Sequence, residues 1–467
     1  MSEPAENTAK KFTEGYTFKA LLLAGFTLLM FIPLLMIGGL IGERRGIAGT
    51  AEAGIMEAWG GELIAAGPMV VIPGIRTETR MTTVQGGGQR EEVDRHPFSL
   101  TVMPKDLTIT AHFETEIRRR GIFSVPLFSG VLSLSGNFDP ELALASLVPG
   151  EEVFFDQAEL IINLSSQQGI RRMDRASWDA GSGTRELFFA PVARTETARS
   201  PMDWDPQTRL PGGGIFAALP DFSAAVSSFD IAIALQGGRL VRVLPVGRQT
   251  RTAISSDWPS PSFQGAFLPV KSEIGEAGFE AEWDISYLSR GIPLFRKEYP
   301  GDARRDYGEF LFGADFFCAV DAYSLNHRAT RYAMLFLVIP FLALFLLELH
   351  TKKRIHPVQY LFSGIANIIF YLLLLSLSEQ MRFHFAYLIA ALAVAVLLTL
   401  YARSLLPSWG KTLYMAMAIS LSYILLYAVL NAESFALLIG SVYAFALVAL
   451  VMFLTRKVDW YGPNYRR

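Results

Sequence analysis

Six runs of apolar residues interrupt an otherwise mixed chain. The first, Ala20–Gly42, carries no charge and closes on Glu43-Arg44-Arg45. Five more crowd the C-terminal third, at about 332–349, 358–378, 385–402, 412–430 and 435–455. About 20 apolar residues rising ~1.5 Å each cross the hydrocarbon core of a bilayer, so each run predicts a membrane-spanning helix. Between Ile47 and about Asn326 no comparable run occurs. There the apolar positions alternate with small or polar ones, as in Ile122–Leu134, Phe229–Leu235 and Leu240–Val246, which is the period of half-buried strands. Gly86-Gly87-Gly88, Gly136-Asn137, Pro211–Gly214 and Gly237-Gly238 read as turns between them.

The pattern predicts an integral membrane α-helical bundle of six transmembrane helices with a large inserted β-rich domain, sandwich-like in its many short strands. Leu132–Phe138 followed by Val153–Leu164 loosely resembles Phe229–Leu235 followed by Arg239–Val246, so a duplicated β unit stays open as an alternative. Two helical pieces are expected inside the domain, Gly54–Leu63 and Asp139–Leu147, the latter with Asp139 as cap and Pro140 in the first turn. The first apolar run is longer than the ~7–15 residues of a signal peptide core, which favours a retained anchor.

Charge adds orientation. Lys10, Lys11, Lys19, Lys352, Lys353, Arg354, Arg403, Lys411, Arg456, Lys457, Arg466 and Arg467 fall on one side of the predicted spans, against Arg382 on the short loops opposite and Arg44-Arg45 after the first span. The positive-inside rule then puts both termini in the cytoplasm and the inserted domain in the periplasm. The chain divides into a cytoplasmic tail (1–17), a first span (18–42), a periplasmic β-rich domain (43–328), a five-helix region (329–455) and a second cytoplasmic tail (456–467). A formal net charge of −2 gives nucleic acid no reason to bind. The single cysteine, Cys318, excludes an intramolecular disulfide and any cysteine-based metal cluster.

At Arg354-Ile355-His356-Pro357-Val358-Gln359-Tyr360 and Phe370–Glu379 the sequence resembles the CreD (also called Cet) family of bacterial inner-membrane proteins. The resemblance extends to Ser256-Asp257-Trp258-Pro259-Ser260-Pro261-Ser262-Phe263 with the residues on to Pro269, and to the ending Leu454–Tyr461. It implies an inner-membrane protein tied to envelope integrity, in a family linked to a two-component sensory system, β-lactam response and colicin tolerance. It carries over no catalytic or ligand-binding residue.

Enzyme signatures are missing from the residues: there is no His-Glu-x-x-His, Gly-x-Ser-x-Gly, Walker-type phosphate loop or Cys-x-x-Cys. No cofactor is implied. Coupled transport calls for ionisable groups near the bilayer midplane, and the spans hold none there. Glu348 sits near Lys352, and Glu379 near Arg382. The polar positions that stand out are Asn367, read as an interhelical hydrogen-bonding group, and His356-Pro357, read as a helix start with Gln359 and Tyr360 at headgroup depth. Small residues recur every fourth position at Ala432, Ala436, Gly440 and Ala444, and again at Ala386 and Ala390, as helix-packing faces require. In the inserted domain, Asp257, Trp258 and Phe263 suit either a fixed loop or a ligand platform. The sequence therefore predicts a non-enzymatic envelope protein whose partners are the lipid bilayer and cell-wall glycan, lipid or another envelope protein. A transporter or lipid flippase with a polar cavity between helices is the rival reading.

Overall fold

The structure, a computed structural model, describes residues 16–83, 89–121, 123–181, 183–191, 214–223, 225–300, 307–316, 322–351, 355–405, 408–432 and 435–456. The chain forms two compact units, Thr50–Ala319 and Met1–Gly49 with Val320–Arg467.

The first helix, α1 (Tyr16–Ala58), does not stop where its apolar run stops. It continues through Glu43-Arg44-Arg45, so the helical piece expected at Gly54–Leu63 is its last turn. Gly60 and Gly61, at φ 113° and 72°, end it, and Leu63 already belongs to a strand.

The strands of the inserted unit are β1 (Leu63–Thr83), β2 (Gln89–Val102), β3 (Asp106–Arg120), β4 (Phe123–Phe138), β5 (Glu151–Val153), β6 (Glu159–Leu164), β7 (Ile170–Asp179), β8 (Thr184–Glu186), β9 (Ala190–Pro191), β10 (Gly214–Ala218), β11 (Ser227–Gly238), β12 (Leu240–Leu244), β13 (Gln249–Ser256), β14 (Ser262–Gly265), β15 (Lys271–Gly275), β16 (Gly278–Ser286), β17 (Phe295–Glu298) and β18 (Phe312–Asp315). One sheet runs β14-β18-β12-β1-β6-β10-β9, with β2 and β5 on β1 and β17 on β2. The other runs β15-β16-β13-β3-β4-β11-β7-β8. Neighbours are antiparallel except β1 with β12 and β3 with β13. Alternation decides which face is buried: on β3, Leu107, Ile109, Ala111 and Phe113 turn in while Thr108, Thr110, His112 and Glu114 turn out. On β16, Phe279, Ala281, Trp283 and Ile285 do the same. Both inner faces share one core, in which Phe113 packs on Phe128 (4.8 Å between centroids) and Phe128 on Phe316 (5.2 Å). Each such ring contributes about 1.5–3 kcal/mol by leaving water.

Gly136-Asn137, expected as a turn, lies inside β4. A Cβ at Gly136 would fall 2.0 Å from the Asp106 carbonyl oxygen, so the glycine marks a close approach of two strands. The helix expected at Asp139–Leu147 shrinks to Glu141–Leu144, with Pro140 rather than Asp139 at its N-cap; Asp139 Oδ1 accepts from the Glu141 amide at 3.3 Å. The two passages that look alike occupy paired positions: β4 lies antiparallel beside β11, and β6 and β12 flank β1, one antiparallel and one parallel to it. Cys318, Gly86–Gly88 and 211–213 lie outside the described residues.

The other unit adds α2 (Ala322–Thr351), α3 (Pro357–Ser378), α4 (Phe383–Leu405), α5 (Trp409–Asn431) and α6 (Ala436–Thr455). With α1 they make six helices long and apolar enough to cross a membrane. Helix α2 packs on α3 and α5, α4 fits between α3 and α5, and α6 leans on α5. The interior is filled: Phe341, Phe370 and Tyr371 are fully buried, and a Cβ at Gly364 would come 2.5 Å from the Phe341 ring. Ala386 and Ala390 on α4, and Ala436 and Gly440 on α6, are buried as packing faces. Tyr443 on α6 stacks on Phe336 at 5.0 Å.

Candidate functional site

Helix α3 carries most of the singled-out positions, and its opening is local chemistry. His356 Nδ1 accepts from the Val358 amide at 3.3 Å, and Gln359 Oε1 accepts from the His356 amide at 3.0 Å, with Pro357 in the first turn. The reciprocal pair satisfies amides that a helix start leaves without partners. Tyr360 turns into the bundle. It is buried, and its hydroxyl donates to Glu348 Oε2 at 2.8 Å, while Glu348 Oε1 takes an ion pair with Lys19. Three helices thus meet on one buried carboxylate, which is stable there because both oxygens are engaged. The partner expected for Glu348, Lys352, lies outside the described residues, as does Arg354.

From Tyr360 a line of polar side chains follows the buried face of α3 through Ser363, Asn367 and Tyr371 at steps of three to four residues, and reaches Ser378 two turns further on. Asn367 Oδ1 accepts from the Tyr423 hydroxyl on α5 at 2.8 Å, and the Tyr423 carbonyl accepts from the Tyr387 hydroxyl on α4 at 2.6 Å. Asn367 thus makes an interhelical hydrogen bond. Ser378 Oγ accepts from Asn326 Nδ2 at 2.7 Å. Ser363 Oγ, Asn367 Nδ2 and Tyr371 Oη have no partner among the described residues. Glu379, expected beside Arg382, accepts instead from the Tyr323 hydroxyl at 3.2 Å and faces Arg44 Nε at 3.9 Å.

In the inserted unit Asp257 ties a loop to β3: its Oδ1 accepts from the Thr115 amide and hydroxyl, both at 2.8 Å. Trp258 is pinned through Nε1 to the Ser260 carbonyl at 3.1 Å, and Phe263 meets Phe279 and Trp283 edge-on at 5.7 and 5.8 Å. These contacts hold the segment in place, with Phe263 in β14 paired to Ala314 of β18. Asp257 also borders an open groove of about 470 Å³ with His112, Ser255, Glu273 and Glu280. His112 Nδ1 lies 2.9 Å from Ser255 Oγ, but no carboxylate among the described residues hydrogen-bonds the ring, so the nucleophile–base–acid relay of a hydrolase is incomplete. Among the described residues no three His, Cys, Asp or Glu side chains gather as metal ligands.

A profile of the family described as "Inner membrane protein CreD" matches residues 15–461. The chain belongs to the CreD family. "Inner membrane protein CreD" of Escherichia coli (strain K12) is 29% identical over 445 residues, spanning 94% of this chain and 92% of that protein. With its six apolar helices, the chain is a multi-pass inner-membrane protein.

In this CreD-family chain the residues that the sequence leaves unmarked are Lys19, Tyr323, Asn326, Ser363 and Tyr371. Lys19 reads there only as one base among twelve, because its partner is 329 positions away. Ser363, Asn367 and Tyr371 do carry a readable signal, a polar residue at every fourth position inside an apolar run.

Proposed function

We propose that this CreD-family protein is a non-catalytic supporter of envelope integrity or envelope-stress response that works through its β-rich domain, held in the periplasm with both termini in the cytoplasm. The observation that carries this reading is the contrast between the two units. Phe341, Phe370 and Tyr371 fill the helical interior, and Tyr360, Asn367 and Ser378 are bonded to neighbouring helices, which suits an anchor. The β-rich unit offers an open groove with four ionisable side chains, His112, Asp257, Glu273 and Glu280. A partner from the envelope, whether glycan, lipid or protein, would be met there. The basic residues that flank the spans support the orientation. The rival reading, a transporter or flippase, draws on the unpartnered polar atoms of Ser363, Asn367 and Tyr371, but these atoms are buried, and beside them Phe341 packs against Gly364.

A photo-crosslinking amino acid at exposed Glu273 in living cells tests the reading. It predicts a discrete adduct with an envelope component that disappears when His112 and Glu280 are replaced by alanine. Equal crosslinking from Glu273 and from exposed Arg172, far along the same sheet, would contradict it.

A further inference from the structure

Helices α4 and α5 do not close fully against each other along their outer side. A groove of about 530 Å³ lies between them, floored by the small half-buried side chains of Ala391 and Ala395 on α4, with exposed Ser420 at its α5 rim. Its walls are Leu388, Leu392 and Ile424, which are 55%, 55% and 64% exposed. In an inner-membrane protein, apolar side chains exposed on a spanning helix face lipid, so the groove opens into the hydrocarbon region.

Its polarity runs one way. At one end His384 Nδ1 and the Tyr427 hydroxyl are bonded at 2.8 Å, and exposed Arg382 precedes His384 by two residues on the turn into α4. Towards Ala395 the α4 wall turns wholly apolar. The distance from His384 to Ala395 along α4 is 11 residues, about 17 Å at the α-helical rise. Half of the ~30 Å hydrocarbon core is about 15 Å, so the groove is as deep as one leaflet.

We infer that this groove is a binding site for one anionic phospholipid from the leaflet on the Arg382 side. One acyl chain lies along Ala391, Ala395 and Ser420, and the phosphate sits at the level of Arg382, His384 and Tyr427. An amphiphile is the chemistry that fits a cleft apolar along its length and polar at one mouth, and a base at that mouth selects a negative headgroup. The groove meets the buried line on α3 at Tyr423, whose hydroxyl donates to Asn367.

The test uses the full chain in phosphatidylcholine nanodiscs doped with phosphatidylglycerol, released and weighed intact by native mass spectrometry. The wild-type protein is expected to retain one phosphatidylglycerol. Ala395→Phe and Ser420→Phe obstruct the groove from opposite helices and should each lower that occupancy about tenfold. Ala393→Phe, on an exposed face of α4 outside the groove, should leave it unchanged. Arg382→Gln should keep a bound lipid but weaken the preference for phosphatidylglycerol about fivefold. Far-UV circular dichroism identifies a misfolded variant, and Ser420, exposed at the rim, carries the test if Ala395→Phe is one. Occupancy equal in wild type and filled variants, or lost equally in Ala393→Phe, overturns the site. An unchanged headgroup preference in Arg382→Gln overturns the anionic assignment.

Discussion

Glu151 in β5 shows how a single buried carboxylate is held in the β-rich unit. Lys297 Nζ donates to its Oε2 at 2.5 Å, the Val148 amide to the same oxygen at 3.0 Å, and the Tyr299 hydroxyl to Oε1 at 2.9 Å. Burial pushes the Glu151 carboxyl up, but these donors together outweigh it and hold the group below its ordinary value. A folded-state pKa below the unfolded one means stability that is present above the unfolded value, about 4.3, and lost as pH falls through the folded value. Glu151→Gln should therefore cost about 2 kcal/mol at neutral pH, with the gap to wild type closing below about pH 4 in chemical unfolding followed by near-UV circular dichroism. A gap of constant size across that range would contradict the account. At this scale the sequence is legible where chemistry is local. The helix start at His356, Pro357 and Gln359 could be read from four consecutive positions. The partners that Glu348 and Glu379 have among the described residues, Lys19 and Arg44, could not, because they come from the far end of the chain.

Among the elements, α3 is closely packed at one glycine. Gly364 sits where α2 and α1 both approach: an added Cβ would lie 2.5 Å from Phe341 and 3.2 Å from Met30. Gly364→Val should push the helices apart and cost about 1–3 kcal/mol, seen as a lower melting temperature in detergent. An unchanged melting point would show that the packing is looser than the geometry says. The apolar runs gave each spanning helix its place, since a bilayer imposes a minimum length of apolar sequence. They could not give the full length of α1, because hydropathy ends at Gly42 while backbone hydrogen bonding continues to Ala58. Gly136 misleads in the opposite direction. Glycine marks turns and close strand contacts alike, and only the Asp106 carbonyl against it tells which.

For the molecule as a whole, one long insertion between the first and second apolar runs already implies two units of different chemistry. Strand order was not legible: β1 pairs in parallel with β12 across most of the insertion, and such pairings leave no local trace. The segment of Asp257, Trp258 and Phe263 was recognisable as special, but its anchoring on Thr115 and Trp283 was visible only in the fold. What joins these scales is the claim that an inner-membrane bundle carries the β-rich unit on the periplasmic side. The direct measurement is labelling of intact cells, their outer membrane made permeable, with a membrane-impermeant maleimide. The protein would carry Cys318→Ala together with Glu273→Cys, or with Lys411→Cys in the first turn of α5. The account predicts that Glu273→Cys is labelled in intact cells and Lys411→Cys only after lysis. The reverse pattern would contradict it.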